Sequence, residues 1–218
     1  MRKSLILVEG IADLVFIKDF IEIHNSYFYK STQKIDDKTK EISVVHDNES
    51  LVKIIVLGSK EALENENTFR LIKSEINKES YNNTILILDA DENYENSKIQ
   101  AEKYLTDLGL SNFYLFPNKE EIGDLETILE NIQVDKNIAN CWSKFETCIN
   151  ESGAEYTIPA KKSKIHTYLE VLNPNTKKGK DNCKERNRDY KDNEIWTLSD
   201  VTNPYILKLK NFLDQYLN

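Results

Sequence analysis

Residues 5–10 read LILVEG and residues 85–91 read ILILDAD, so two short apolar runs end directly in acidic residues. A third run, FYLFP at residues 113–117, is followed by GDLE at residues 123–126. Short, continuous runs of bulky and β-branched residues are typical of strands buried on both faces of a parallel sheet. Ligands of such sheets bind beyond the carboxyl ends of the strands. The pattern therefore predicts that Glu9, Asp89 and Asp91 meet at one sheet edge.

Helical periodicity separates the apolar runs, so strands and helices alternate over residues 4–117. This alternation predicts an α/β fold with a doubly wound, Rossmann-like sheet. Residues 27–35 and 41–45 resemble a hairpin with a turn at residues 36–39, and residues 60–76 a helix capped by Ser59. We predict one α/β domain over residues 1–130. A mainly helical extension over residues 131–218 is expected to pack on it.

The chain has 218 residues and a net charge of −8, which argues against nonspecific DNA binding. Residues 160–191, however, contain ten basic and four acidic residues. The basic loop near residues 173–191 is therefore either a phosphate-binding surface or a solvated loop. Its candidate nucleic-acid-binding residues are Lys177, Lys178, Lys180, Arg186 and Arg188. The sequence has no membrane-length apolar run, and we do not expect its first residues to act as a signal peptide, so we expect a cytoplasmic protein that does not contact membranes.

Other catalytic chemistries have little support in the sequence. The histidines form no H-E-x-x-H motif, and a G-x-S-x-G nucleophile motif is missing. Cys141 and Cys148 lie seven residues apart on a predicted helix, and we expect them to be buried structural residues. Tyr168 and Tyr190 lie among basic residues, which suggests stacking on single-stranded bases.

The acidic residues suit a divalent cation. Asp89 and Asp91 alternate on an extended strand end, so both carboxylates can reach one ion or two adjacent ions. Hard oxygen ligands favour Mg²⁺ or Mn²⁺. Asp13 either joins this site or only complements the dipole of the first helix. Glu126 either faces the crevice or lies on the outside of a helix that Asp124 caps.

The motifs LVEGIAD at residues 7–13 and LILDAD at residues 86–91 resemble the Toprim domain, which topoisomerases, DnaG-type primases and OLD-family nucleases share. In that pattern a Glu follows the first strand and a D-x-D motif follows the third. The match covers about residues 4–130. The whole chain resembles small stand-alone Toprim-like proteins, some of them related to phage defence.

The resemblance implies a Toprim-like domain built on a four-stranded parallel sheet flanked by helices. It implies that Asp89 and Asp91 bind Mg²⁺ or Mn²⁺ and that Glu9 acts as a ligand or as a general acid or base. Asp13 and Glu126 would complete a second ion site. These roles imply a divalent-metal-dependent phosphodiesterase or nuclease that cleaves DNA or RNA.

The chain lacks the Walker A motif of the larger relatives. Motor-dependent action would therefore require a partner ATPase chain, and a homodimer is an open alternative. A different class of function also remains open, namely a nucleic-acid-binding or partner-binding module without catalysis, whose acidic site is vestigial.

Overall fold

The computed structural model describes residues 2–34, 40–46, 50–153, 155–173 and 176–217. It confirms an α/β fold with four parallel strands, flanking helices and a helical C-terminal region. The strands are β1 (Arg2–Val8), β2 (Phe28–Lys34), β3 (Lys40–His46), β4 (Ser50–Val56), β5 (Asn83–Asp89) and β6 (Asn112–Phe116). The helices are α1 (Ile11–His24), α2 (Glu66–Lys78), α3 (Tyr94–Leu108), α4 (Leu125–Asn131), α5 (Lys136–Glu151), α6 (Lys161–Leu172), α7 (Lys177–Asn182) and α8 (Pro204–Leu217).

The six strands form one sheet in the order β2-β3-β4-β1-β5-β6. Strands β4, β1, β5 and β6 are parallel to one another, whereas β2 and β3 form an antiparallel hairpin that extends the sheet beyond β4. The predicted hairpin strands are thus confirmed. The predicted turn at residues 36–39 lies outside the described residues. Strand β1 occupies an inner position, which explains why its apolar run is continuous.

Both faces of the sheet are covered. Leu5 and Leu7 belong to one buried apolar cluster, whereas Ile6 and Val8 belong to a second cluster on the opposite face. All four side chains are fully buried. Burial of one such side chain contributes about 1.5–3 kcal/mol relative to leaving it in water. The sheet therefore gives the residues at its edge a rigid support.

The predicted helix over residues 60–76 is wrong in its first turn. Residues Lys60–Glu64 form a 3₁₀ turn, and α2 begins only at Glu66. Asn65 caps α2 because its side chain accepts hydrogen bonds from the backbone N–H groups of Asn67 and Thr68. Asparagine stabilises a helix N-terminus better than a helix interior, so the break falls there.

The C-terminal region packs against the same sheet. The Ser4 hydroxyl donates a hydrogen bond of 3.2 Å to the carbonyl of Tyr216, and the Tyr27 hydroxyl donates one of 3.0 Å to the carbonyl of Leu217. Helix α8 also buries Leu209 and Leu213 in the cluster that contains α1. The last helix is therefore part of the core.

Two expectations for side chains are wrong. Tyr168 and Tyr190 are buried and pack against Trp196 at ring-centroid distances of 5.4 and 5.7 Å, so they cannot stack on bases. Cys141 and Cys148 are exposed on α5. None of the described residues of helix α5 is buried, and the apolar residues along one side of the helix are only half-buried.

The predicted basic loop is partly structured. It contains the short helix α7 and a 3₁₀ turn over Glu185–Asn187. The Thr176 side chain caps α7 by accepting a hydrogen bond from the N–H of Gly179. In the part of the chain that the structure describes, no helix combines the length and the apolar character that crossing a membrane requires.

Candidate acidic active site

The ends of β1 and β5 bring the predicted carboxylates to one edge of the sheet. Val8, the last residue of β1, pairs with Ile87 of β5 in parallel register. Glu9 follows Val8 directly, and Asp89 lies two residues beyond Ile87. Because parallel strands end at the same edge, both side chains leave the sheet on that side.

A cavity of about 640 Å³ opens at this edge. Its acidic residues include the three predicted catalytic residues and two residues that follow β6. We call it the acidic cavity and define it by Glu9, Asp89, Asp91, Asp124 and Glu126. On the opposite wall lie Glu146 of α5 and the segment from Ile158 to Lys162.

Asp13 lies next to this cavity and is buried. Its Oδ2 accepts a hydrogen bond of 2.7 Å from the backbone N–H of Gly10, at the start of α1. Burial raises the pKa of Asp13 to about 7, and the carboxylates of Glu9 and Glu126 contribute to the rise. The residue thus interacts electrostatically with the acidic cavity in addition to closing the first turn of α1.

Ionisation of Asp89 is disfavoured in the fold. Burial raises its pKa well above the usual range, and the nearby carboxylates, first Asp13 and then Glu9 and Glu126, raise it further. The Asp89 Oδ1 atom accepts a hydrogen bond of 3.0 Å from the backbone N–H of Leu125 at the start of α4. This bond joins the end of β5 to the segment after β6.

Glu9 carries an unsatisfied oxygen. Its Oε2 atom is buried and has no hydrogen-bond partner among the described residues. Burial raises the pKa of Glu9, and the charge of Asp91 adds to the effect, while Lys60 and a backbone hydrogen bond from Asp89 oppose it. Burial of a carboxylate oxygen without a partner destabilises the fold, and a bound proton or cation would relieve this destabilisation.

Asp91 is held by two sets of contacts. Its backbone adopts a left-handed conformation with φ of 53°, which Asp tolerates better than most residues. Its N–H donates to the Gly123 carbonyl at 2.7 Å, and the Gly123 N–H donates to the Asp91 carbonyl at 2.8 Å. Its Oδ2 atom forms an ion pair of 2.8 Å with Lys60.

Lys60 is a site residue that the sequence analysis did not identify. Its ammonium group is buried and donates to the Asp89 carbonyl at 2.9 Å and to the Ser97 hydroxyl at 2.7 Å, in addition to Asp91. The signal was its place just after Gly58, where a core strand ends at the same edge.

The turn before α4 depends on Gly123. This residue has φ of 139°, and a Cβ atom there would lie 2.7 Å from the Thr127 hydroxyl. Asp124 then caps α4 by accepting a hydrogen bond of 2.9 Å from the N–H of Thr127, which confirms the predicted cap. Lys161 donates to Asp124 from the opposite wall at 3.2 Å.

Glu126 faces the cavity and is only 3% exposed. Burial raises its pKa, while Lys162 and Arg188 act in the opposite direction and Asp124 adds to the rise. Of the two positions that the sequence left open for Glu126, the structure shows the one that faces the crevice, not the outside of the helix. Lys162 is a second cation that the sequence analysis did not assign to the site.

The donor chemistry of the cavity fits a hard divalent cation, because several carboxylates converge on one space and one Glu9 oxygen lacks a partner. Within the described ranges, however, no three His, Cys, Asp or Glu side chains already form a group that could hold a metal ion. Asp91 instead contacts Lys60. Of the five residues predicted to bind metal, Glu9, Asp89, Asp91 and Glu126 line the cavity, and Asp13 lies outside its lining.

The predicted nucleic-acid-binding residues lie elsewhere. Lys177, Lys178 and Lys180 are exposed on α7, and Arg186 is exposed in the 3₁₀ turn that follows. Arg188 differs from them because it is buried. None of the five is among the residues that line the acidic cavity.

Comparison with solved structures supports the fold. A crystal structure of hypothetical protein PH0156 from Pyrococcus horikoshii OT3 is similar with a TM-score of 0.53 and 15% identity, over 99% of this chain and 95% of that chain. The cytosolic domain of the FeoB iron transporter of T. maritima, in a GDP form, gives a TM-score of only 0.24 at 10% identity, over 99% and 96% of the two chains. The likeness to PH0156 concerns the fold alone.

No curated protein matches the sequence. A family model, described as protein of unknown function (DUF3226), matches residues 3–218. That match spans nearly the whole chain, from the first strand to the last helix. The chain therefore belongs to the DUF3226 family.

Proposed function

We propose that the protein is a divalent-metal-dependent phosphodiesterase or nuclease of Toprim type that cleaves DNA or RNA. The observation that supports this most is the buried, unpaired Oε2 of Glu9 in a cavity that also contains Asp89 and Asp91. Carboxylates that repel one another at a strand edge are destabilising unless something cationic is bound between them. Groups with strongly perturbed pKa values in a cleft are typical of functional sites.

Glu9 would move the proton in this reaction. Because burial raises its pKa, the carboxyl group exchanges a proton nearer to neutral pH than a free glutamate does. The Glu9 side chain lines the cavity, where an attacking water or a leaving oxygen would be positioned. Glu9 can therefore take a proton from the attacking water or return one to the leaving oxygen.

Asp89 and Asp91 would hold Mg²⁺ or Mn²⁺, with Glu9 as a shared ligand and with Asp13 and Glu126 available for a second ion. The bound ion would polarise a phosphoryl oxygen of the substrate. Asp89 is oriented for this role by the backbone N–H of Leu125. Release of Asp91 from Lys60 would make the Asp91 carboxylate available to the ion.

Cleavage assays test the proposal. Purified protein is incubated with plasmid, single-stranded DNA and single-stranded RNA in Mg²⁺ or Mn²⁺, and with EDTA as the blank. We expect metal-dependent cleavage that falls at least about a hundredfold in Glu9→Gln, because removal of a general acid or base costs about 10²–10⁴-fold. Glu102→Gln makes the same chemical change at an exposed position of α3 outside the cavity and should retain activity.

Asp89→Asn should abolish the metal-dependent cleavage, because Asn lacks the charge that binds the ion. Circular dichroism of each variant checks that the fold is intact. Cleavage that survives in the Glu9→Gln, Asp89→Asn double variant would refute the assignment, because both proposed functions of the site would then be missing.

A non-catalytic binding module is the second candidate. The Lys60–Asp91 ion pair favours it, because it neutralises part of the cavity from within the protein. This candidate predicts binding to single-stranded nucleic acid that is sensitive to salt, independent of metal, and lost when Lys177, Lys178 and Arg186 are neutralised. Binding without cleavage on every substrate and metal tested would support it.

The expected setting follows the same proposal. We propose a cytoplasmic protein whose partner is nucleic acid, with a role in phage defence. A homodimer, or a partner ATPase chain where cleavage needs a motor, would complete the assembly. Gel filtration with light scattering tests for the homodimer, and copurification tests for the partner ATPase chain.

A further inference from the structure

A second concave site adjoins the acidic cavity and has the opposite charge. It has a volume of about 640 Å³ and lies between the start of α6 and the segment after α7. We call it the basic pocket and define it by Lys162, His166, Lys184, Arg186 and Arg188. Glu185 is the one carboxylate in its lining, against four Lys or Arg side chains. Such a surplus of positive charge in a concavity attracts anions.

Arg188 is the residue that distinguishes this pocket from an ordinary charged surface. It is 6% exposed, yet it lines the pocket. Its Nε atom is buried without a hydrogen-bond partner among the described residues, and its Nη1 reaches only the Tyr190 hydroxyl at 3.5 Å. A buried guanidinium with unused donors is costly unless an acceptor is present. A phosphate offers acceptor oxygens that match this planar group.

The pocket's other cations are partly free to turn towards a ligand. Lys162 lies 3.9 Å from Glu185, which is a loose ion pair, and Lys184 pairs with Asp181 at 2.6 Å on the exposed side of α7. His166 lies 3.5 Å from Glu170, a neighbour on the same helix. Arg186 is exposed at the rim. These weak surface pairs cost little to exchange for a phosphate.

The two sites share a wall. Lys162 lines both the basic pocket and the acidic cavity. Ile11, two residues after Glu9, also lines the pocket. An extended polyanion that places one phosphate at Glu9 therefore meets a cationic site immediately beside it.

We propose that the basic pocket binds a phosphate group of the nucleic-acid substrate, next along the strand to the phosphodiester that is cleaved. This inference rests on the proposed function for the identity of the substrate. The phosphate binding itself is independent of it, because it requires neither the acidic residues nor a metal ion.

Binding of inorganic phosphate in EDTA, measured by isothermal titration calorimetry, tests the pocket alone. We expect Arg186→Gln and Lys184→Gln each to weaken phosphate binding about tenfold, which is typical for the loss of one charged hydrogen bond. Lys103→Gln removes one positive charge at an exposed position of α3 outside the pocket and should change the affinity less than twofold. Arg188→Gln is informative only where circular dichroism shows that it folds, and Arg186→Gln is therefore the primary variant.

A pair of oligonucleotides that differ only in a 5′-phosphate separates the two sources of that group. Tighter binding of the phosphorylated strand assigns the pocket to a strand end, and equal binding assigns it to an internal phosphate. Absence of phosphate binding, or equal weakening by Lys103→Gln and Arg186→Gln, would overturn the inference.

The Glu9→Gln, Asp89→Asn variant distinguishes this inference from the proposed function. It should bind inorganic phosphate at least as tightly as the unaltered protein, because only negative charge has been removed nearby. Phosphate binding in a protein that never cleaves nucleic acid would reject the catalytic proposal while leaving the pocket in place.

Discussion

Asp13→Asn should stabilise the protein at alkaline pH. The pKa of Asp13 is raised from 3.8 to about 7 by burial and by its acidic neighbours. A folded-state pKa above the unfolded value means that ionisation is penalised in the fold. The penalty is nearly absent below the unfolded pKa and reaches its full size above the folded pKa. Stability is therefore lost as the pH rises from about 4 to about 7.

The size of the effect follows from the shift. One pKa unit corresponds to about 1.4 kcal/mol, so a shift of about three units sets an upper limit of about 4 kcal/mol. Glu9 and Glu126 share the unfavourable charge, so we expect about 2–4 kcal/mol at pH 8 and less than about 1 kcal/mol at pH 4. Asparagine does not ionise, and its side-chain oxygen can still accept the Gly10 hydrogen bond.

Urea denaturation at both pH values, in EDTA and followed by circular dichroism, measures this difference. Asp107→Asn makes the same change at an exposed position of α3 and should leave the free energy of unfolding within about 0.5 kcal/mol. The reasoning fails if Asp13→Asn gives the same stability change at pH 4 and pH 8, or if it destabilises the protein at pH 8.

Two further changes test the architecture around the cavity. Gly123→Ala should destabilise the protein by about 1–3 kcal/mol, because φ of 139° strains an L-residue and the new Cβ would clash with Thr127; thermal unfolding checks this, and an unchanged melting temperature would count against it. Lys60→Gln should lower the free energy of unfolding in urea by about 1–2 kcal/mol, a figure that allows for the half-exposed Asp91 partner. The loss should be larger at pH 8 than at pH 4, because the Lys60 charge stabilises the ionised form of Glu9. An equal cost at both pH values would show that Lys60 acts through packing alone.

The sequence predicts the sheet edge well, because strand ends and charged residues are both local signals. A buried parallel strand must be apolar throughout, so the first polar residue after it marks the edge. This reasoning located Glu9, Asp89 and Asp91, and the structure places them in one cavity. The same local reasoning found the Asp124 cap, since a helix start needs only neighbouring residues.

Contacts between distant segments were beyond this reasoning. Lys60 reaches Asp91 from a turn that precedes it by some thirty residues, and only the strand order makes them neighbours. Arg188 and Tyr190 belong to a segment whose composition indicates exposure, yet both are buried. Tyr190 is buried because it packs against Phe16 of α1 and against Trp196, and composition alone does not predict such long-range packing.

The paired hydrogen bonds between Asp91 and Gly123 have a mechanical consequence for the cavity. They join the chain after β6 to the end of β5, so this side of the acidic cavity is bonded to the sheet and is expected to move little. The facing side is built from α5, none of whose described residues is buried, and from residues 158–162. Entry of a nucleic-acid strand would therefore move the α5 side of the cavity, while the sheet side stays in place.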